Sequence, residues 1–205
     1  MDGAAETDFT ETLTRACAAI GVPLDAAQVG ACLRFARLLL ETNERTNLTR
    51  ITAPAEMAVK HFADSLTVLR AVPDLPEGAR VADVGTGAGF PGVVLKIARP
   101  DLRIVLIDSL AKRLSFLEGV TTALLLKDVS LVHARAEDAG RDPSLRDRCD
   151  LVTARAVAAL PTLLEWCGPL ARPGSGRFVA MKAGGVDEEI AAAATASAAL
   201  HLRLD

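Results

Sequence analysis

The stretch VADVGTGAGFPG, residues Val81–Gly92, packs four glycines into the turn between a strand-like apolar run and a helix-like one. Counted from Gly87, the spacing is G-x-G-x-x-G, which is found in loops that bind the pyrophosphate of a dinucleotide. That register requires the strand to continue past Gly85, and Pro91 then removes one N–H from the entrance of the helix. Counted from Gly85, the spacing is G-x-G-x-G and begins where the strand ends. We favour this second register.

Downstream of Arg80, short β-rich runs alternate with helical patterns. Strands that are apolar on both faces and separated by helices indicate a parallel sheet that is covered on both sides. The five runs are RVADVG, RIVLIDS, VSLVHA, CDLVTARA and GRFVAMKAG. We therefore predict an α/β protein with a doubly wound, Rossmann-like sheet, whose ligand lies at the carboxyl ends of the strands.

The first part of the chain has a different pattern, because its apolar residues recur with helical spacing up to about Pro73. Pro76 and Gly78 mark the junction with the β-rich part. A chain of 205 residues can bury most of its apolar surface in one main core. We predict an N-terminal helical lobe over residues 1–75, packed as one structural unit on a core over residues 76–205.

The composition narrows the class of protein. A net charge of −3 lacks the basic excess of a typical nucleic-acid binder, although it leaves room for a local basic surface. The four cysteines form no C-x-x-C pair and have no histidine at metal-ligand spacing, which predicts reduced structural thiols and no metal site. The acidic start MDGAAETDF does not match a signal peptide, and no apolar run approaches the roughly 20 residues of a membrane span. We expect a soluble cytoplasmic protein without a membrane partner.

The carboxylate of Asp83 bears on the choice of ligand, because it lies two residues before Gly85. A carboxylate at this place would repel a pyrophosphate and would attract an amino group, directly or through water. A ligand with an amino-acid end, an apolar sulfonium region and an adenosine end matches these requirements, and S-adenosylmethionine is such a ligand. The alternative role for Asp83 is an ordinary turn or helix cap.

Two further strand ends carry candidate binding residues. Asp108 closes the second run, where an acid can accept hydrogen bonds from ribose hydroxyls. After the third run, Ala136 and Glu137 offer a backbone N–H and a carboxylate to an adenine edge. Asp108 is also typical of nicotinamide sites, and both acids could instead be a cap or a solvated loop residue, so a nicotinamide-dependent reductase remains an alternative.

Several motifs, taken in order, resemble the RsmG family, also called GidB, of 16S ribosomal RNA guanine-N7 methyltransferases. They are NLT, KHFADS, DVGTGAGFPG, LIDSLAKRLSFL, ARAED, TARAVAAL and MKAG. The resemblance extends from about Asn43 to Glu189. It implies an enzyme with a class I methyltransferase fold that uses S-adenosyl-L-methionine, leaves S-adenosyl-L-homocysteine, and methylates one guanine of the small ribosomal subunit. We also expect a monomer.

The resemblance assigns candidate residues by motif. Those expected to contact the methyl donor are Gly85, Phe90, Ala136, Glu137 and Arg155, and the same donor site includes Asp83, Thr86, Gly87, Gly89 and Asp108. Polar positions expected around the donor and the RNA are Asn47, His61, Asp64, Arg135 and Lys182. Guanine N7 carries a free lone pair, so the site needs to align the reactants and does not require a general base.

Structural alternatives stay open for several of these residues. Arg155 could pair with Asp150 or an interior acid, His61 could be a hydrogen-bonded residue of the helical lobe, and Asn47 could shape its own loop as an Asx-turn. Lys182, expected to contact a phosphate, could be a solvated lysine at a strand end. Together with Arg50, Lys60 and Arg135, it forms the predicted RNA-binding surface.

The sequence departs from the family pattern in its loop and at its end. Thr42 and Thr46 stand where the family usually has aromatic residues, which weakens a stacking role for that loop. The chain stops at ALHLRLD, where the family fold normally continues into another antiparallel strand, so we expect an incomplete sheet edge. A non-catalytic RNA-binding or ribosome-assembly module that keeps the fold is therefore a third hypothesis.

Overall fold

Five parallel strands form the centre of the molecule in the computed structural model, which describes residues 1–182, 184–185, 187–200 and 202–203. The spatial order of the strands is β3-β2-β1-β4-β5, so the chain winds outward from β1 in both directions. This confirms the predicted doubly wound sheet and its five runs. The strands are β1 (Arg80–Val84), β2 (Arg103–Asp108), β3 (Val129–His133), β4 (Leu151–Arg155) and β5 (Arg177–Met181).

Helices cover both faces of this sheet. Before β1 come α1 (Gly3–Ala19), α2 (Ala26–Thr46), α3 (Pro54–Met57), a π-helical segment (Ala58–Ala63) and α4 (Asp64–Ala71). Between the strands lie α5 (Gly92–Ala98), α6 (Ala111–Ala123), α7 (Ala136–Ala139), α8 (Leu160–Cys167) and a 3-10 turn (Gly168–Leu170), and α9 (Asp187–Ala199) follows β5.

The two faces of the sheet have separate cores because side chains alternate along each strand. Val81 and Leu106 point toward α1 to α6, while Ala82 and Ile107 point toward α7 and α8. The helices of residues 1–75 therefore share a continuous apolar core with one face of the sheet. A smaller cluster around Ala193 packs α9 on α8.

Aromatic side chains concentrate where the N-terminal helices meet the sheet. The Phe62 ring lies 5.1 Å from that of Phe9 and 5.3 Å from that of Phe90, both edge-on. Phe35 stacks on Phe90 with centroids 5.0 Å apart. Since Phe90 belongs to the glycine turn, this aromatic cluster fixes the turn against the N-terminal helices.

Local sequence signals explain where α2 begins and ends. The Asp25 carboxylate accepts a hydrogen bond from the Gln28 backbone, and the Gln28 side chain accepts one from the Asp25 N–H, which forms a capping box. The helix ends at Asn47, whose φ of 49° is left-handed. Cys32 and the other three cysteines are buried free thiols, as predicted.

Strand β5 forms one edge of the sheet, because among the described residues it hydrogen-bonds to β4 alone. None of the helices formed by the described residues combines the length and apolar character that crossing a bilayer requires.

Candidate functional site

A cavity of about 440 Å³ opens at the carboxyl ends of the strands. The predicted residues in its wall are His61, Gly85, Thr86, Gly87, Phe90, Asp108, Arg135, Ala136, Glu137 and Arg155. Five predicted residues lie outside this wall: Asn47, Asp64, Asp83, Gly89 and Lys182. The cavity size is within the range of sites that bind small molecules and cofactors.

The glycine turn forms the centre of the wall. Gly85, Gly87 and Gly89 have φ values of 67°, 58° and 96°, which favour glycine. A Cβ on Gly85 would lie 2.6 Å from a methyl carbon of Val157, so the β4–α8 loop closes directly over the turn. At Gly89, a Cβ would meet Val93 and Leu117, each at 2.8 Å, which makes this glycine a packing residue.

Gly92 opens α5, as the register from Gly85 predicts. Its φ is not left-handed, but a Cβ would lie 2.4 Å from Leu106 and 2.8 Å from the Asp83 carboxylate. Its N–H donates to Asp83 Oδ2 over 2.9 Å. The glycine is therefore required by close packing of α5 on the sheet.

Asp83 lies beneath the turn instead of in the cavity wall. Its Oδ2 accepts hydrogen bonds from Thr86 Oγ1 at 2.7 Å and from Gly92 N, and the side chain is fully buried. Burial raises its pKa to about 6. Because the side chain points to the face covered by α5, the structure disfavours a direct contact with a ligand amine, and the expected contact through water stays a prediction. Asp83 has the capping role that was the alternative.

Asp108 lies in the wall and supports the same turn from β2. Its Oδ2 accepts from Gly87 N at 2.9 Å, and its Oδ1 accepts from Leu110 N at 2.9 Å. Arg113 Nη1 is 3.3 Å from Oδ2. The carboxylate thus holds the glycine turn in place while it remains part of the cavity wall.

The β3–α7 junction supplies a second part of the wall. Arg135 is the residue before α7, and Ala136 and Glu137 form its first turn. Arg135 is exposed, and its side chain makes no hydrogen bond or ion pair to another residue that the structure describes. Trp166, the only tryptophan of the chain, lines this part of the wall from α8. No sequence motif marked it as a site residue.

A π-helical register explains how Arg155 is held. Asp64 N–H donates to Val59 O, five residues back, instead of to Lys60 O as in an α-helix. The Lys60 carbonyl accepts a hydrogen bond from Arg155 Nη1 at 3.2 Å, and Asp64 Oδ2 accepts another at 3.0 Å. The guanidinium carbon lies 5.1 Å from the centroid of Phe90.

The alternative pairing of Arg155 with Asp150 is wrong. Asp150 lies near the start of β4, where its carboxylate pairs with Arg172 and accepts from the Arg80 N–H. Arg155 is at the opposite end of the same strand.

His61 is held as a neutral ring. Its Nε2 is 2.8 Å from Thr49 Oγ1, and its ring stacks on Phe90 with centroids 4.7 Å apart. Thr49 Oγ1 also accepts a hydrogen bond from Ile51 N, so the hydroxyl links the His61 ring to the loop backbone. Burial, followed by the charge of Arg155, lowers the pKa of His61 to about 4. Asp64 pairs with Arg155 and not with His61.

The NLT loop is shaped by a residue that was not predicted. Asn43 Oδ1 accepts a hydrogen bond from Thr49 N at 2.8 Å, and Asn43 O accepts one from Asn47 N at 3.3 Å. Asn47 itself is the left-handed C-cap of α2. Thr49 and Leu48, next to it in the loop, line the cavity. The N-x-x-x-N-L-T spacing contained this signal, since an asparagine near a helix end often bonds to the following backbone.

Two lysines of the predicted basic surface are engaged within the protein. Lys182 Nζ lies 2.8 Å from Glu189 Oε2 and donates to Ala158 O, also at 2.8 Å. Lys60 pairs with Glu56 at 2.6 Å. Lys182 is therefore neither in the cavity wall nor a solvated strand-end lysine.

The sequence is similar to known methyltransferases over most of its length. The family model described as rRNA small subunit methyltransferase G, GidB, matches residues 28–204. A protein from Desulfitobacterium hafniense named ribosomal RNA small subunit methyltransferase G is 50% identical over 171 residues, which are 83% of this chain and 70% of that protein. One of the same name from Symbiobacterium thermophilum is 48% identical over 204 residues, with 97% and 82% of the two chains covered.

Solved structures are similar at the level of the fold. A SAM-dependent methyltransferase from Aquifex aeolicus has a TM-score of 0.55 at 20% identity, with 78% of this chain and 89% of that chain covered. A SAM-dependent O-methyltransferase from Thermotoga maritima has a TM-score of 0.53 at 17% identity, covering 78% and 55%. Both share the α/β architecture of class I methyltransferases. On the family match and the sequence identities, the chain belongs to the GidB family, rRNA small subunit methyltransferase G.

Proposed function

We propose that this protein transfers a methyl group from S-adenosyl-L-methionine to N7 of one guanine in the 16S rRNA of the small ribosomal subunit. The observation that carries this proposal is the left-handed glycine turn at the carboxyl end of β1, which opens a cavity of about 440 Å³ in a chain of the GidB family. The names of the relatives support small-subunit rRNA as the substrate class. N7 as the methylated atom rests on the family resemblance.

The groups in the wall suit the parts of S-adenosylmethionine. At Gly85 and Gly87 the backbone faces the cavity without a side chain, as close approach of a ligand requires. Arg155 offers a cation to a carboxylate, Asp108 an acceptor to ribose hydroxyls, and Glu137 an acceptor to an adenine amine. When bound, this cofactor supplies a methyl group activated by an adjacent sulfonium, and its cleavage leaves S-adenosyl-L-homocysteine.

The charges of the same wall disfavour the nicotinamide alternative. Asp108 and Glu137 are acids in the wall, and Asp83 is a third carboxylate beneath the turn. The cations Arg113 and Arg155 are paired with Asp108 and Asp64, respectively. A pyrophosphate at the glycine turn would lie close to the carboxylates of Asp83 and Asp108, which would repel it.

The chain does not need to supply a general base for methylation at N7, since that nitrogen carries a free lone pair. His61 is consistent with this requirement, because its lowered pKa keeps it neutral and Thr49 occupies Nε2. We propose that His61 and Phe90 give the cavity a flat apolar wall, and that Arg155 orients the cofactor. The contribution of these residues is then alignment and exclusion of water.

RNA recognition is assigned to the rim of the cavity. Arg135 is exposed at the wall, and exposed Arg50 follows the wall residue Thr49. Arginine at such positions forms bidentate contacts with phosphate. We expect Arg135→Ala to weaken RNA binding while leaving cofactor affinity unchanged, and a fall in cofactor affinity alone would contradict this assignment.

Calorimetry and methyl transfer together test the proposal. We expect S-adenosylmethionine to bind and NAD not to bind, and we expect transfer of the labelled methyl group to small ribosomal subunits or to free 16S rRNA. Binding of NAD would favour the reductase. Cofactor binding without transfer to either RNA substrate would favour the non-catalytic RNA-binding or assembly module.

We further propose that the protein works as a monomer in the cytoplasm, where ribosomal subunits are found. Light scattering during gel filtration measures the oligomeric state. A mass near 21.5 kDa is expected, and a mass near twice that value would overturn the monomer.

A further inference from the structure

The side chains of Lys182 and Glu189 meet behind the β4–α8 loop, residues 156–159, on the side away from the cavity. Lys182 follows β5 and donates to the Ala158 carbonyl, while Glu189 in the first turn of α9 accepts from the Leu160 N–H at 2.9 Å. The two side chains also pair with each other at 2.8 Å. These contacts hold the loop backbone at two points, one before and one at the start of α8.

The loop needs such support because its own sequence does not stabilise its shape. Ala156 has a φ of 54°, an unfavourable value for a residue with a Cβ. Ala159 precedes α8 and has no side chain that could cap it. Glu189 therefore provides both the cap and the negative charge that the N-terminus of α8 favours.

The other side of this loop forms part of the cavity wall. Ala156 and Val157 line the cavity beside Arg155, and Val157 packs directly over the position of the missing Cβ of Gly85. A displacement of the loop would therefore change the width of the cavity at the glycine turn. Small shifts of this kind can strongly reduce the efficiency of a site that works by alignment.

We propose that Lys182 and Glu189 form a clamp that positions the β4–α8 loop, and that Lys182 is a positioning residue instead of a phosphate contact. The effect on methyl transfer rests on the proposed function, but the effect on the loop does not. Lys182 Nζ uses two of its donors within the protein, toward Ala158 O and Glu189.

The two possible roles of Lys182 predict different effects of Glu189→Gln on RNA binding. If Lys182 contacts phosphate, loss of the neighbouring negative charge should strengthen RNA binding. If the clamp holds the loop, the variant should not strengthen RNA binding, and it should weaken cofactor binding less than Glu189→Ala does, because glutamine can still accept from Leu160.

Hydrogen exchange of the folded protein tests the clamp without any ligand. Lys182→Met and Glu189→Ala should each accelerate exchange of the Leu160 amide by about tenfold, with the amides of β1 and β2 unchanged. Arg37→Met, which removes a remote ion pair with Glu6 between α1 and α2, is the matched control and should leave Leu160 unchanged. Unchanged exchange in both clamp variants would overturn the proposal.

Two binding measurements connect the clamp to the site. Fluorescence of Trp166 should report about tenfold weaker S-adenosyl-L-homocysteine binding in Lys182→Met. The salt dependence of RNA binding should keep its slope in Lys182→Met, whereas Arg135→Ala should reduce the slope by about 1. A reduced slope with unchanged cofactor affinity in Lys182→Met would identify Lys182 as a phosphate contact and overturn the clamp. If the native protein binds neither ligand, the proposed function fails and the exchange experiment still tests the clamp.

Discussion

The two sides of the cavity are built by different kinds of contact. At the glycine turn, the supporting bonds are mostly local: Asp83 reaches Thr86 three residues away and Gly92 nine residues away. Across the cavity, Arg155 is held by Asp64, 91 residues away in sequence, and the β4–α8 loop is held by residues that follow β5. The glycine wall therefore rests mainly on a short motif and the adjacent strand β2, whereas the other wall depends on contacts between distant parts of the chain.

Substitutions in the two walls should therefore have different effects. The glycine turn is closely packed and its carboxylates are buried, so substitutions there act mainly on folding. The opposite wall is held by partly exposed ion pairs, so substitutions in those pairs act mainly on ligand position. The variants below test this division, from the largest expected effect to the smallest.

Asp83→Asn should change the pH dependence of stability the most. Burial raises the pKa of Asp83 to about 6 from an ordinary 3.8, so its ionisation opposes folding. The protonated Asp83 therefore stabilises the fold fully below the pKa that this group has in the unfolded chain. This stabilisation is lost as the pH rises through the pKa that it has in the folded protein. Relative to the variant, the native protein should lose about 2 kcal/mol of unfolding free energy between about pH 4 and pH 7.5.

Denaturant unfolding at several pH values measures this difference. His61 has the opposite sign, because its lowered pKa removes stability as the pH falls through the range from 6.5 to about 4. Asp83→Asn should therefore show the loss of stability at low pH that His61 causes, because the opposite effect of Asp83 is absent. Parallel pH profiles of the native protein and Asp83→Asn would contradict the buried, ionisable role of Asp83.

Gly92→Ala should reduce the free energy of unfolding by about 2 kcal/mol, because the new Cβ would overlap Leu106 and Asp83. Thermal and denaturant unfolding measure the loss. Gly119→Ala is the control, since a Cβ there meets nothing within 4 Å and α6 favours alanine. Equal stabilities of the two variants would show that α5 is not closely packed on the sheet.

Arg155→Met should weaken cofactor binding by about tenfold while leaving thermal stability nearly unchanged. Asp64→Asn should have a smaller effect on affinity, because the Lys60 carbonyl still accepts from Arg155. Calorimetry with S-adenosyl-L-homocysteine measures both. A larger loss of affinity in Asp64→Asn than in Arg155→Met would contradict this order.

Thr49→Val should have the smallest effect, about 1 kcal/mol of stability, because it removes one hydrogen bond to His61 and the acceptor for Ile51 N. The pKa of His61 should stay well below its ordinary value in the variant, since burial and the charge of Arg155 are what lower it. NMR titration of the histidine ring measures this pKa. A return of the pKa to about 6.5 in the variant would contradict this cause.

The same division explains what the sequence predicts well. The five strands, the register from Gly85 and the strand-end position of Asp108 follow from local periodicity and turn chemistry, and the structure agrees. The sequence does not reveal whether the Asp83 side chain points into the cavity or under α5. The orientation depends on Gly92, because the absence of a side chain there leaves room for the Asp83 carboxylate beneath α5.

Side-chain pairing was harder to predict. The sequence placed Lys60 and Lys182 on an RNA-binding surface, but Glu56 and Glu189, four and seven residues away, engage them. Trp166 gave no signal because its place in the wall depends on how α8 packs on the sheet. The π-helical register behind Arg155 likewise has no recognised sequence pattern, and it depends on packing of the N-terminal helices.

Mapping the methylated base tests the central claim most directly. Small ribosomal subunits that lack this modification would be incubated with the protein and S-adenosylmethionine, and the 16S rRNA would then be reduced with borohydride and cleaved with aniline, which breaks the chain at N7-methylguanine. We expect one new cleavage site, and we expect its intensity to fall about tenfold when Arg155→Met replaces the native protein at low cofactor concentration. Incorporation of methyl groups without cleavage would place the methyl on another atom and contradict the assignment of guanine N7.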